Sequence, residues 1–139
     1  MMNILVIDGQ GGQLGSQLIK AINEKQPEAE IVAVGTNAVA TAAMIKGGAR
    51  KAATGENPVI VACRKADVII GPIGIVIADS LYGEITASMS VAVGQSDAVK
   101  ILIPVNKCEN LVAGVPNLTV SALVEDALSK LQAVIDKKA

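Results

Sequence analysis

Apolar positions along this chain switch repeatedly between two periods. The first apolar run, Ile4-Leu5-Val6-Ile7, has the length of a strand buried on both faces. It breaks into four glycines within seven residues: Gly9, Gly11, Gly12 and Gly15. Leu14, Leu18, Ile19 and Ile22 then recur at helical spacing, which predicts a helix over 12–25 that Pro27 stops. A second strand is expected at 30–34, followed by Gly35, Thr36 and Asn37, then a helix over 38–46. Ala38, Ala40, Ala42 and Ala43 line that helix, and their small side chains let it lie close to a sheet. Gly47 and Gly48 close it.

The alternation continues to the end of the chain. Residues 51–53 form a weaker strand pattern, and 54–58 a turn. Asn57 as cap and Pro58 at the first helical position predict a short helix through Arg64, although Val59, Ile60 and Val61 are β-branched and work against it. The run at 67–71 is the clearest later strand, and Gly71-Pro72-Ile73-Gly74 is expected as the loop at its carboxyl end. Residues 75–82 suit either helix or strand, and the helical pattern after them favours helix. Thr86 caps a helix to Gln95, with a strand next at 99–105, a turn at 106–110 and a short strand at 111–115. From Val120 to Ile135 an apolar stripe recurs through Leu123, Val124, Ala127, Leu128 and Leu131.

Strands that alternate with helices imply right-handed crossovers and a parallel sheet covered on both faces. The expectation is a Rossmann-like α/β fold, doubly wound and mainly parallel, in three α/β/α layers. The expected strand order is 3-2-1-4-5, with the short strand at 111–115 on an edge. The chain shows no repeat and no linker, so its 139 residues read as one domain.

Composition removes several function classes. Net charge is −1, and Lys and Arg are scattered, so nucleic acid and acidic membranes are not expected partners. Histidine is absent, which excludes His-based triads, His general bases and His metal ligands. Tyr82 is the sole aromatic residue, so the core is aliphatic and a multi-ring base-stacking platform is excluded. The longest uncharged apolar stretch, 68–78, is about half a membrane span. With no basic region before the first apolar run, a cytoplasmic location is expected. Cys63 and Cys108 form no CxxC and read as idle thiols.

The candidate chemistry lies where the first strand meets the glycines. Strand, glycine turn and helix offer backbone N–H groups and a helix N-terminus to a phosphate. The spacing is G-x-x-G-x-x-G through Gly9, Gly12 and Gly15, with Gly11 as an extra; Leu14 stands where a strict G-x-G-x-x-G needs glycine. It resembles the loop of extended short-chain dehydrogenases and related NAD(P)-binding proteins. Gly9 is expected to make the exit from the strand, Gly11 and Gly12 to let a pyrophosphate touch the backbone, and Gly15 to let the helix approach the sheet. The expected contacts are Asp8, Gly9, Gln10, Gly11, Gly12, Gln13 and Leu14. A glycine-rich turn without a ligand is the alternative.

Two departures shape the cofactor expectation. Asp8 would repel phosphates unless it accepts hydrogen bonds from the loop or holds Mg²⁺. Thr36 and Asn37 stand where NAD-binding folds usually carry an acid for the ribose hydroxyls. With Arg50 or Lys51 nearby they suit a 2′-phosphate, which tilts the expectation toward NADP over NAD. Asn37 as a simple helix cap is the bland alternative. Gly71, Pro72 and Ile73, at the end of the fourth strand, are the second expected contact surface. Asp79, Ser80, Tyr82 and Glu84 cluster beyond it and suit either a pocket mouth or an exposed helix end.

No catalytic set emerges. Tyr82 is followed by Thr86 where a Tyr-x-x-x-Lys pair needs lysine, and neither a P-loop nor a nucleophile elbow is present. Lys107 beside Cys108 could favour a thiolate. Six phrases together resemble a small family of uncharacterised bacterial proteins, a domain of unknown function found largely in anaerobes. They are VIDGQGG (6–12), AVGTNAVAT (33–41), ATGENPVIV (53–61), IIGPIGIVIADSLYGEIT (69–86), VAVGQS (91–96) and ILIPVNKC (101–108). The resemblance implies a Rossmann-like single domain and a bacterial cytoplasmic source, and it implies no activity.

The chain supports two functional expectations. One is a module that binds or senses a small-molecule nucleotide of the NAD(P)(H) type. The other is a small enzyme whose site, drawn from Asp8, Asn37, Asp79, Glu84, Asn106 and Cys108, is completed across a dimer. A homodimer is expected in either case, because few charges and the apolar run 73–78 leave more apolar surface than one small sheet buries. Gly12→Glu is the obvious probe of the loop.

Overall fold

The computed structural model describes residues 1–105 and 109–138. In chain order the elements are β1 (Asn3–Asp8), α1 (Gln13–Lys25), β2 (Glu30–Gly35), α2 (Ala38–Lys46), β3 (Lys51–Thr54) and α3 (Glu56–Cys63). Then come β4 (Val68–Pro72), a 3₁₀ turn (Ile73–Val76), α4 (Ala87–Gln95), β5 (Val99–Ile103) and α5 (Val120–Lys138). The five strands pair in parallel in the order β3-β2-β1-β4-β5. The fold is therefore the expected α/β architecture.

Side-chain alternation along each strand divides the core into two layers. On one face Ile4, Val6, Ile70, Ile101 and Ile103 meet Leu18, Ile19 and Ile22 of α1, Met44 of α2, and Val124, Leu128 and Leu131 of α5. On the other, Leu5, Ile7, Val34 and Ile69 meet Val59 of α3 and Met89 and Val93 of α4. The apolar stripe of the last helix is thus spent on the α1 face, with Leu131 fully buried. Strand order reverses between β1 and β4. Their carboxyl ends, at Asp8 and Pro72, open the crevice where ligands enter such sheets.

Three local expectations are corrected. Residues 75–82 are not a helix. After the 3₁₀ turn, Asp79, Leu81, Tyr82 and Gly83 adopt φ of 66°, 55°, 56° and 85°, a conformation that no right-handed helix contains. Burial wins here over local preference, because this backbone sends Leu81 and Ile85 into the core at 1% exposure each. Residues 111–115 form no strand, and Leu111 is 94% exposed. The third helix starts at Glu56, one residue before the expected cap Asn57 and two before Pro58, because Gly55 at φ 111° makes the entry turn.

Candidate functional site

Asp8, the last residue of β1, is 6% exposed and braces the glycine loop. Its Oδ1 accepts from the Gly9 N–H at 2.8 Å and its Oδ2 from the Gly15 N–H at 2.7 Å, so one carboxylate ties both ends of the loop. Burial pushes the Asp8 carboxyl above its ordinary value. The Gly15 and Gly9 N–H groups work in the opposite sense, and the Glu84 charge adds to the rise.

The glycines divide by what surrounds them. A Cβ at Gly12 would lie 2.6 Å from the Ala40 carbonyl, and φ there is +74°, so this residue serves the close approach of α1 to α2 rather than a ligand. A Cβ at Gly15 would lie 2.6 Å from the Met44 sulfur and 2.9 Å from Cβ of Asp8, which gives Gly15 the expected role in helix–sheet packing. Gly9 is hemmed in by Thr36, Glu84 and Leu81. Only Gly11 of the four has nothing within 4 Å of its missing side chain. It is the glycine whose backbone stays open.

The loop's N–H groups divide in the same way. Those of Gly9 and Gly15 go to Asp8, that of Gln10 to Glu84, and that of Gly12 to the Gly9 carbonyl. The N–H groups of Gly11, Gln13 and Leu14 have no acceptor among the described residues. The N-cap of α1 is Gly12, which has no side chain, and Asp8 reaches its first turn at Gly15, whereas Asn37 caps α2 and Thr86 caps α4. The residues from Asp8 to Leu14, with Val105 opposite, enclose a cleft of about 210 Å³. That volume suits a phosphoryl group and falls below the roughly 300–1,000 Å³ of sites that swallow a whole organic ligand. A larger hollow of about 540 Å³ lies between α3 and α4, lined by Cys63, Ser88, Val91 and Ser96. It opens beside Ala66 and Asp97, at the amino ends of β4 and β5. The smaller cleft lies instead at the carboxyl end of β1, the edge where ligands enter such sheets.

Glu84, expected at a pocket mouth or an exposed helix end and named among the groups of a candidate enzyme site, is half-buried against the glycine loop. Its Oε1 accepts from the Gln10 N–H at 2.9 Å, the Thr36 hydroxyl at 2.6 Å and the Asn37 amide at 2.8 Å. Burial works to raise its pKa, but these hydrogen bonds outweigh it and hold the carboxyl below the ordinary glutamate value. Asn37 caps α2 through Oδ1, 2.8 Å from the Ala40 N–H. Its amide also reaches the Gln10 carbonyl at 3.0 Å. The acid missing from the end of β2 is supplied from a distant turn. The one signal for it in the sequence was that vacancy at Thr36 and Asn37.

The expected contacts therefore fall into three groups. Asp8, Gly9, Gln10, Gly11, Gly12, Gln13 and Leu14 line the cleft. Thr36 and Asn37 stand beside it, bound to Glu84. Gly71 and Pro72 belong to β4 and are buried, with Gly71 pressed against the Ile7 carbonyl, and Ile73 begins the 3₁₀ turn. None of these three lines the cleft. Of the groups weighed for chemistry, Asn37 and Glu84 both bond Gln10, and Asp8 braces the same loop through Gly9 and Gly15. Asp79 is exposed on the same turn as Glu84. Asn106, Lys107 and Cys108 lie outside the described residues. Burial raises the Cys63 thiol pKa, against the pull of Lys100, which disfavours the thiolate. No group of three or more metal-ligating side chains occurs among the described residues.

The chain belongs to the family described as Domain of unknown function (DUF3842), whose model matches residues 3–136, in agreement with the resemblance carried by its phrases. No curated protein matches it. Among solved structures it is similar to a dodecameric FMN-dependent UbiX-like decarboxylase from Escherichia coli O157:H7. Identity is 16%, the match covers 93% of this chain and 94% of that one, and the TM-score is 0.44.

Proposed function

We propose that this family member is a nucleotide-binding module of the NAD(P)(H) type that carries or senses its ligand as a homo-oligomer. The observation that carries the reading is the set of three N–H groups, Gly11, Gln13 and Leu14, that have no acceptor among the described residues and belong to residues lining a phosphate-sized cleft at the start of α1. Each can donate to a phosphoryl oxygen, and the positive end of the helix dipole adds to the attraction. The charges of Asp8 and Glu84 oppose it. Those carboxylates already accept two and three hydrogen bonds respectively, none of them from the Gly11, Gln13 or Leu14 N–H groups.

The test is thermal stabilisation, read by an external dye because the chain has no tryptophan. The ligands are NAD, NADH, NADP, NADPH, AMP, FMN, ATP, GTP and coenzyme A, with and without Mg²⁺. A ligand at a hundred times its Kd stabilises the fold by about 2.7 kcal/mol. Gly12→Glu would collide with α2, so the informative variant is Gly11→Glu, whose side chain has open space and sets a carboxylate over the cleft. The expected result is an unchanged melting temperature without ligand and no shift with it. Equal shifts in wild type and Gly11→Glu would remove the cleft from the site.

One observation favours a second reading, an enzyme completed across a subunit interface. Asp8 and Glu84 are neighbouring carboxylates whose pKa values are displaced in opposite directions, an arrangement that separates an acid from a base. Turnover of a nucleotide-linked substrate by the pure protein, lost in Glu84→Gln, would select it.

A further inference from the structure

We propose that Glu84, held against the glycine loop and the end of β2 together, is the acceptor for ligand ribose hydroxyls, so that the site takes nucleotides with a free 2′-hydroxyl and rejects a 2′-phosphate. The inference rests on the nucleotide-binding reading and sharpens it. It also reverses the tilt toward NADP that Thr36 and Asn37 suggest in the sequence.

Three observations carry it. First, Glu84 bridges the two segments between which the ribose of a dinucleotide lies in folds of this topology: Gln10 of the loop after β1, and Thr36 and Asn37 after β2. Second, its two oxygens are unequal. Oε1 is saturated by three donors, which fix the side chain and keep it ionised. Oε2 has no protein donor among the described residues and remains free to accept hydroxyls. Third, the Thr36 hydroxyl and the Asn37 amide, the two donors that would have received a 2′-phosphate, already point at this carboxylate. A phosphate placed there would meet an anion and find its donors engaged. The acid thus reaches the end of β2 from residue 84, across the sheet, on a turn anchored by Leu81 at 1% exposure and by the Ser80 hydroxyl on the Gly74 carbonyl.

The experiment titrates wild-type protein with AMP, 2′-deoxy-AMP and adenosine 2′,5′-bisphosphate, and with NAD and NADP, by calorimetry. A hydrogen bond to a charged acceptor makes the expected loss roughly tenfold or more for the deoxy ligand. A loss at least as large is expected for each 2′-phosphorylated ligand. Glu84→Gln keeps a carbonyl oxygen for the three donors and removes the charge, so the NAD-to-NADP preference should shrink by about the same factor. Equal or tighter binding of the 2′-phosphorylated ligands would overturn the inference. So would equal binding of AMP and 2′-deoxy-AMP, a comparison that needs no variant to fold. If ligands bind without 2′ discrimination and Gly11→Glu abolishes binding, the ribose assignment fails and the nucleotide site stands. If none of these nucleotides binds, both fail.

Discussion

Asp8 carries more of the loop than any glycine does. Both of its oxygens accept backbone N–H groups, so Asp8→Asn must turn an amide NH₂ toward one of them. Leaving a buried donor unmet costs about 1–3 kcal/mol, which urea unfolding should show as a lower midpoint at unchanged slope. Glu84 and Asp8 also set opposing pH dependences. The Glu84 pKa is lowered in the fold from 4.5, so its stabilising contribution is present above about pH 4.5 and is lost as pH falls through the folded value. The Asp8 pKa is raised from 3.8. Its ionised form therefore disfavours the fold at neutral pH, and that penalty is relieved on acidification. Melting curves from pH 7 to pH 3 should accordingly fall less for Glu84→Gln than for wild type, because only the favourable contribution has been removed. Gly12→Ala should cost about 1–3 kcal/mol, from a left-handed φ and a collision with the Ala40 carbonyl. A calorimetric melting temperature within a degree of wild type would contradict the packing described.

At the scale of elements, α1 and α5 differ in what holds them. The glycine loop positions α1: Asp8 holds the Gly15 N–H of its first turn, and the Gln13 and Leu14 N–H groups have no acceptor among the described residues. α5 is held by burial, with Leu131 at 0% and Leu128 at 4% exposure on the shared apolar face, and at its ends by the Thr119 hydroxyl on the Ala122 N–H and by Lys138 beside Asp67. Leu131→Ala should therefore cost about 2–5 kcal/mol by chemical unfolding. A value near zero would mean that α5 is not part of the cooperative core. The turn at 79–84 works differently again. Three non-glycine residues there are held left-handed, a conformation that is individually unfavourable. It persists because Leu81 and Ile85 are buried and Glu84 is bound at its far end.

The whole molecule leaves apolar surface uncovered, though not where the run 73–78 suggests. Gly74 and Ile75 are buried beneath the turn, while Val61 and Val91 on α3 and α4 are 39% and 51% exposed. These two helices flank the larger hollow and offer a face that a second copy would cover. Light scattering at micromolar concentration should return twice the 14.1 kDa chain mass, and a monomer would refute the expected homodimer. No helix among the described residues is long and apolar enough to cross a membrane.

The sequence by itself determined the layers and the strand order. Doubly buried strands such as Ile4-Leu5-Val6-Ile7 and amphipathic helices such as α5 each announce a period, and right-handed crossovers leave few ways to assemble them. It also located the glycine loop, because a strand followed by glycines and a helix is a local pattern. Tertiary structure alone decided which glycine stays open. Gly11 and Gly12 are adjacent and chemically identical, and what separates them is the approach of Ala40 and Ala43 of α2 to Gly12 and its left-handed φ. It decided as well that residues 75–82 turn rather than coil, since the gain came from burying Leu81 and Ile85 in a core that no local pattern reveals. And it brought Glu84 to Gln10, 74 residues away in sequence. That contact depends on how two strand-end loops meet across the sheet, which no local pattern in the chain encodes.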